Sequence, residues 1–169
     1  MKDQHFKNFL IVGTFMVLMT GKVQSQELDK YRAVFILKFI ENIQWPNDPS
    51  SISVGVLGNS RVLTELGNRI SSSQLRHKVG RIDYLDKAVD FDIVFVPDGV
   101  GVDIETVVKA VGGRSILVVA QSASKENQSA DICFLREDNK LKFVLNTPAI
   151  SDKGLVVSSK LQKFAATMN

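Results

Sequence analysis

Cysteine, histidine and proline are scarce in this chain of 169 residues, and each scarcity removes a class of chemistry. The single cysteine, Cys133, has no partner for an internal disulfide, and a zinc site built from several thiolates is excluded. The two histidines, His5 and His77, allow no HExxH pair and no His-rich metal site. Four prolines and 11 glycines rule out a collagen-like chain, and a hydrophobic fraction of 44% against 23% charged rules out a disordered one. Long apolar runs are missing too: Phe9 to Met19 falls well short of the roughly 20 residues that span a bilayer. What remains is the composition of one globular domain.

The short apolar run has a specific setting. Lys2 and Lys7 precede it, and small or polar residues follow it as far as Val23-Gln24-Ser25-Gln26. That order is the layout of a cleavable secretory signal, with Val23 and Ser25 at the −3 and −1 positions of a cut after Ser25. Residues 1–25 are thus expected to be removed and residues 26–169 to form a single exported α/β domain that does not insert into the membrane. The formal charge of +3 and a pI near 9.0 belong to the precursor. Loss of Lys2, Lys7 and Lys22 against Asp3 removes most of that excess, and basic residues are not clustered with aromatics, so nucleic-acid binding has no support.

In the remaining chain, apolar residues recur at helical spacing from Glu27 to Gln44, and Trp45-Pro46 predicts the end of that helix. Its apolar residues cover more than half of the helical circumference, a wider arc than one core contact needs. The surplus is buried either inside its own domain or against a partner. Ile52 to Leu57 reads as a strand, Arg61 to Ile70 as an amphipathic helix, and Val79 to Leu85 as a short strand. A compact strand from Asp92 to Pro97 precedes the Gly-rich turn 98–101, then a helix from Asp103 to Val111 capped by Asp103, then a strand from Ser115 to Ala120. A polar loop covers 122–129. Asp131 to Leu135 and Lys140 to Leu145 form an antiparallel hairpin turning at Asp138-Asn139, and Val157, Leu161, Phe164, Ala165 and Met168 mark one face of a closing helix. Strands alternating with helices predict a mixed, mostly parallel sheet flanked by helices, ending in that hairpin and helix.

No catalytic set emerges. His77 stands in a polar, loop-like stretch without a nucleophile motif and reads as a surface residue. Cys133 lies mid-strand with no basic neighbour in sequence; it is either a buried thiol or a link to another chain. Gly55-Val-Leu-Gly58 lacks the third glycine of a dinucleotide loop, and the paired acids of a receiver domain are absent. Asp83, Asp86, Asp90, Asp92 and Asp98 are scattered like a solvated loop face. Neither an enzyme nor a cofactor nor a metal is implied.

Three blocks resemble the YfiR-like family of bacterial periplasmic proteins: Tyr31 through the helix to Trp45-Pro46, Val54-Gly-Val-Leu-Gly58, and Lys140 to Asn146 leading to Gly154-Leu-Val-Val-Ser-Ser-Lys-Leu. The resemblance implies a periplasmic α/β domain without enzymatic activity. It also implies a role like that of the best-studied member, which restrains a membrane-bound diguanylate cyclase by binding its periplasmic portion. Family members can be dimeric, which makes a homodimer part of the expectation. Phe91-Asp92 stands where many relatives carry Cys-His.

Two functional readings follow. In the first, the protein binds and modulates a membrane signalling enzyme, such as a diguanylate cyclase or a sensor kinase, through Tyr31, Phe35, Phe39 and Trp45. In the second, it senses a small molecule in a cleft at the carboxyl ends of the parallel strands, lined by the turns at Gly58 and Gly99 with Arg81 or Asn146 nearby.

Overall fold

The computed structural model describes residues 20–166. Most of the expected export signal, and Met168, lie outside them. Between Lys22 and Trp45 there is neither glycine nor proline, and helix α1 runs from Thr20 to Asn42. It stops two residues earlier than periodicity predicts: Ile43–Gln44 form strand β1, paired antiparallel with Val156–Val157, strand β8. Helical spacing cannot register this, because the pairing partner lies more than a hundred residues away.

The main sheet has six strands in the order β3-β2-β4-β5-β6-β7. These are β2 (Ser53–Leu57), β3 (Lys78–Ile82), β4 (Ile93–Val96), β5 (Leu117–Ala120), β6 (Ile132–Glu137) and β7 (Lys140–Leu145). The first five in the spatial order are parallel, and β7 returns antiparallel to β6. Helix α2 (Arg61–Ser72) links β2 to β3, and α3 (Ile104–Val111) links β4 to β5. The hairpin turns where expected, with Asp138 and Asn139 both left-handed (φ 49° and 59°), the conformation a two-residue turn requires.

Each central strand is divided by its pleat. Ile93 and Phe95 of β4, with Leu117 and Val119 of β5, join α1, α2 and the C-terminal segment in one core. Val94 and Val96, with Val118 and Ala120, join α3 and the 3-10 segment Leu85–Asp90 in the other. Both faces are covered, so these strands are apolar throughout rather than alternating.

Three further details depart from the sequence reading. The strand expected to run to Leu85 ends at Ile82, and the 3-10 segment follows. A short helix, α4 (Thr147–Asp152), follows β7, started by the Asn146 side chain accepting from the Ala149 N–H and by Pro148 in its first turn. The single closing helix is instead β8 followed by a short α5 (Ser159–Phe164), which buries Leu161 but leaves Phe164 69% exposed. The Asp103 cap is as read: its carboxylate accepts from the Thr106 N–H at 2.7 Å and from the Thr106 hydroxyl at 3.0 Å, which holds its pKa below the usual value.

The Gly55 to Gly58 sequence also gains a reason. A Cβ on Gly55 would lie 2.7 Å from the Phe91 ring, and one on Gly80 3.2 Å from it. Phe91 therefore lies over two adjacent strands where only glycine leaves room, and the first glycine of the abortive dinucleotide motif serves packing.

Candidate functional site: a groove between the first helix and the hairpin

The first half of α1 and the tip of the β6–β7 hairpin enclose a groove of about 420 Å³ lined by Glu27, Leu28, Tyr31, Phe35, Arg136, Asn139, Lys140 and Leu141. Leu28, Phe35 and Leu141 supply its apolar surface, and Tyr31, 54% exposed, stands at its lip. Arg136 is aimed by a 2.7 Å hydrogen bond to Asn139 Oδ1, and Glu137 pairs with Lys142 beside it. The α1 side exists because the helix presents more apolar surface than the sheet can cover.

The four aromatics expected to meet a partner divide into two pairs. Tyr31 and Phe35 line the groove. Phe39 is wholly buried, its ring 5.1 Å from that of Phe143 and 5.8 Å from that of Phe134, so it anchors α1 to the sheet. Trp45 is buried as well, with an indole N–H that has no acceptor among the described residues. These two cannot touch a partner without leaving the core. The lining residues Leu28, Arg136, Lys140 and Leu141 were missed by sequence reasoning, since the hairpin's position over α1 is set by tertiary packing.

Of the four residues expected to surround a small molecule, the turns at Gly58 and Gly99 meet, but Arg81 and Asn146 do not join them. Val100 from the turn after β4 packs against Gly58: a Cβ there would meet it at 3.6 Å. Val100 thus stands at the carboxyl ends of β2 and β4, where the strand order reverses. Arg81 is exposed on the edge strand and pairs with Asp83 at 2.7 Å. Gly99 lines a separate acidic cleft of about 360 Å³ with Asp98, Asp103 and Glu126, in which Asp98 already accepts from the hydroxyl of Ser122. Asn146 lies four strands across the sheet from Gly58 and spends its side chain on the α4 cap and on the Gln128 carbonyl.

Asn146 does border a third cleft, about 330 Å³, which it shares with Gln128, Cys133 and Pro148. The Cys133 thiol donates to the Asn127 carbonyl at 3.2 Å, and burial, with the Asp131 charge second, pushes its pKa up to about 11. Against an ordinary thiol this is roughly a hundredfold loss of thiolate at neutral pH. A disulfide reagent is therefore expected to label native Cys133 about a hundred times more slowly than the denatured chain; equal rates would show the thiol to be accessible and reactive.

The acidic run has no shared site. Asp92 accepts from the backbone N–H and the hydroxyl of Ser53, 2.7 Å each, and so ties β4 to β2. His77 Nδ1 accepts from the Ile52 N–H at 3.2 Å, a structural contact. Among the described residues no group of three or more His, Cys, Asp or Glu side chains is placed to hold a metal ion, and no helix is long and apolar enough to cross a membrane.

The sequence profile described as YfiR/HmsC-like matches residues 29–166. The chain belongs to the YfiR/HmsC-like family. That family is known for periplasmic regulators in bacteria. The matched span runs from the groove wall on α1 to the end of the described residues. No curated protein matches the sequence. A solved structure, that of a conserved domain protein from Vibrio cholerae O1 biovar El Tor, is similar in fold, with a TM-score of 0.59 at 11% identity over 83% of this chain. This chain spans 60% of the length of that one.

Proposed function

We propose that this YfiR/HmsC-like protein is a periplasmic regulator that docks the outer portion of a membrane signalling enzyme, such as a diguanylate cyclase or a sensor kinase, and restrains it. The observation that carries the reading is the groove between α1 and the hairpin, an apolar floor with a charged rim on a helix that leaves Tyr31 54% exposed. Family membership supports a regulatory rather than a catalytic role. The layout of residues 1–25 supports export.

Tyr31 is the residue to test, because its exposure predicts that Tyr31→Ala changes folding stability by no more than about 0.5 kcal/mol. Deleting the gene is expected to raise the signalling output, and the wild-type gene to restore it. Tyr31→Ala should fail to restore it although the protein accumulates normally. A photocrosslinking side chain at position 31 should capture a membrane protein bearing a cyclase or kinase domain, whereas one at Tyr84, 74% exposed and placed beyond β3, should not. Full complementation by Tyr31→Ala, or capture from position 84 alone, would overturn the assignment.

A further inference from the structure

The β6–β7 hairpin is clamped at its base and open along part of its outer edge. At the base, Asp131 stands wholly buried before β6, and its Oδ2 accepts from the Lys153 ammonium and from the Val118 N–H, 2.6 Å each. Lys153 is buried too, and its Nζ also donates to the Ile116 carbonyl at 3.1 Å. These bonds fasten the head of β6 to β5 and so hold the hairpin from its base.

Strand β7 ends the sheet, and the register decides which of its backbone groups face outward. Across the two-residue turn Asp138-Asn139, Glu137 and Lys140 form the first hydrogen-bonded pair, and every second residue follows: Lys142 with Leu135, then Val144 with Cys133. The Asn146 N–H, donating to the Asp131 carbonyl at 2.8 Å, continues the series. The N–H and C=O groups of Leu141 and Phe143 therefore point away from β6. At Phe143 the outward carbonyl accepts from the Ala166 N–H at 2.8 Å, so the edge already carries chain there. One step nearer the tip it does not: among the described residues no hydrogen bond reaches the N–H or the carbonyl of Leu141.

This open stretch borders the groove. Leu141 packs on the α1 side of the sheet, as Phe143 does, and lines the groove with Leu28 and Phe35. A strand laid beside β7 sets the residue opposite Leu141 on that same face, over the apolar floor. The charge around it leans positive. Glu27 is paired with Lys30 and Glu137 with Lys142, which leaves Arg136 and Lys140 against the carboxylate of Asp138 in the turn. A second copy of this chain fits badly, since a two-fold pairing centred on Leu141 would set each Lys140 against a Lys142.

We propose that the outer edge of β7 at Leu141 is a strand-addition site. The docked partner supplies an extended segment in which apolar and acidic residues alternate; its backbone pairs with Leu141, an apolar side chain fills the groove, and its acids are drawn by Arg136 and Lys140. This rests on the docking role of the groove and adds the kind of segment that docks.

A synthetic peptide alternating Glu with Val and Phe is the probe, titrated into isotope-labelled protein expressed from the full gene. At saturation, hydrogen exchange at the Leu141 amide should slow at least about tenfold, while β3, the opposite edge strand, keeps its rates. The same peptide with Lys for Glu, or N-methylated along its backbone, should bind at least about tenfold more weakly. Leu141→Pro removes an N–H that the ladder to β6 does not use and should abolish binding, where Leu141→Ala only weakens it. If the proline variant fails to fold, the methylated peptide decides the point. Equal binding of either modified peptide, protection of β3 rather than of Leu141, or a dimer that Leu141→Pro dissociates would overturn strand addition. The two readings fail separately. Undiminished crosslinking from position 31 in Leu141→Pro would remove strand addition and leave docking; slowed exchange at Leu141 with no membrane protein captured from position 31 would leave the strand site and remove the docked enzyme.

Discussion

Asp131→Asn is expected to cost about 3–5 kcal/mol of folding stability, because it strands the Lys153 ammonium among buried groups. Lys153→Met strands the opposite charge and behaves differently, since a carboxylate can take up a proton where an ammonium must shed one. Its loss should be as large near pH 8 but shrink on acidification. Asp131 already sits above its ordinary value because burial outweighs its partners, and removing Lys153 raises it further. The native state then holds a proton that the unfolded chain does not, and the slope of stability with pH is negative through the folded pKa. The double variant, lacking both charges, should return to within about 1 kcal/mol of the wild type. Urea unfolding of the three variants at two pH values checks all of this. A double variant as unstable as either single one would mean that the pair contributes shape rather than charge compensation.

Phe39→Ala is the second large expectation, at about 3–5 kcal/mol. Phe39 is fully buried and stacks at 5.8 Å on Phe134, edge-on at 5.1 Å to Phe143, and at 6.3 Å from Phe35. Truncation opens a cavity between a helix and a sheet that cannot both move to close it. Phe39→Leu should recover a good part of the loss by refilling volume, though not the ring contacts, which are worth about 0.5–1.5 kcal/mol per pair. Thermal unfolding gives the comparison. A loss for Phe39→Ala no larger than that for Tyr31→Ala would contradict the placement of this ring in the core.

The elements that could be read from sequence are those whose signals are local. Asp103 caps α3, Gly112 ends it in the left-handed region, and Asp138-Asn139 turns the hairpin, each within a few residues of the feature that reveals it. The sheet's parallel character was legible because strands covered on both faces are apolar throughout, as β4 and β5 are. Distant pairings were not legible. Ile43–Gln44 look like a last helical turn until β8 arrives, and the closing helix is cut short for the same reason. The groove was half visible: Tyr31 and Phe35 came from the wide apolar arc of α1, but nothing near Arg136 or Leu141 says that they lie opposite. Phe39 and Trp45 share that arc, and periodicity cannot tell the buried residue from the one a turn away at its margin. The Asp131–Lys153 pair left only a faint mark, an acid immediately before an apolar strand.

The ring cluster joins the start of the domain to its last third, since Phe35 and Phe39 meet Phe134 and Phe143 across about a hundred residues of chain. Helix α1 precedes the whole sheet, and although α2 can cover part of it early, its Phe35 and Phe39 rings have no partners on the sheet until the hairpin exists. During synthesis that aromatic face waits, and the closure of a loop of about a hundred residues must precede its burial. Folding of this protein is therefore bound to be completed from its far end.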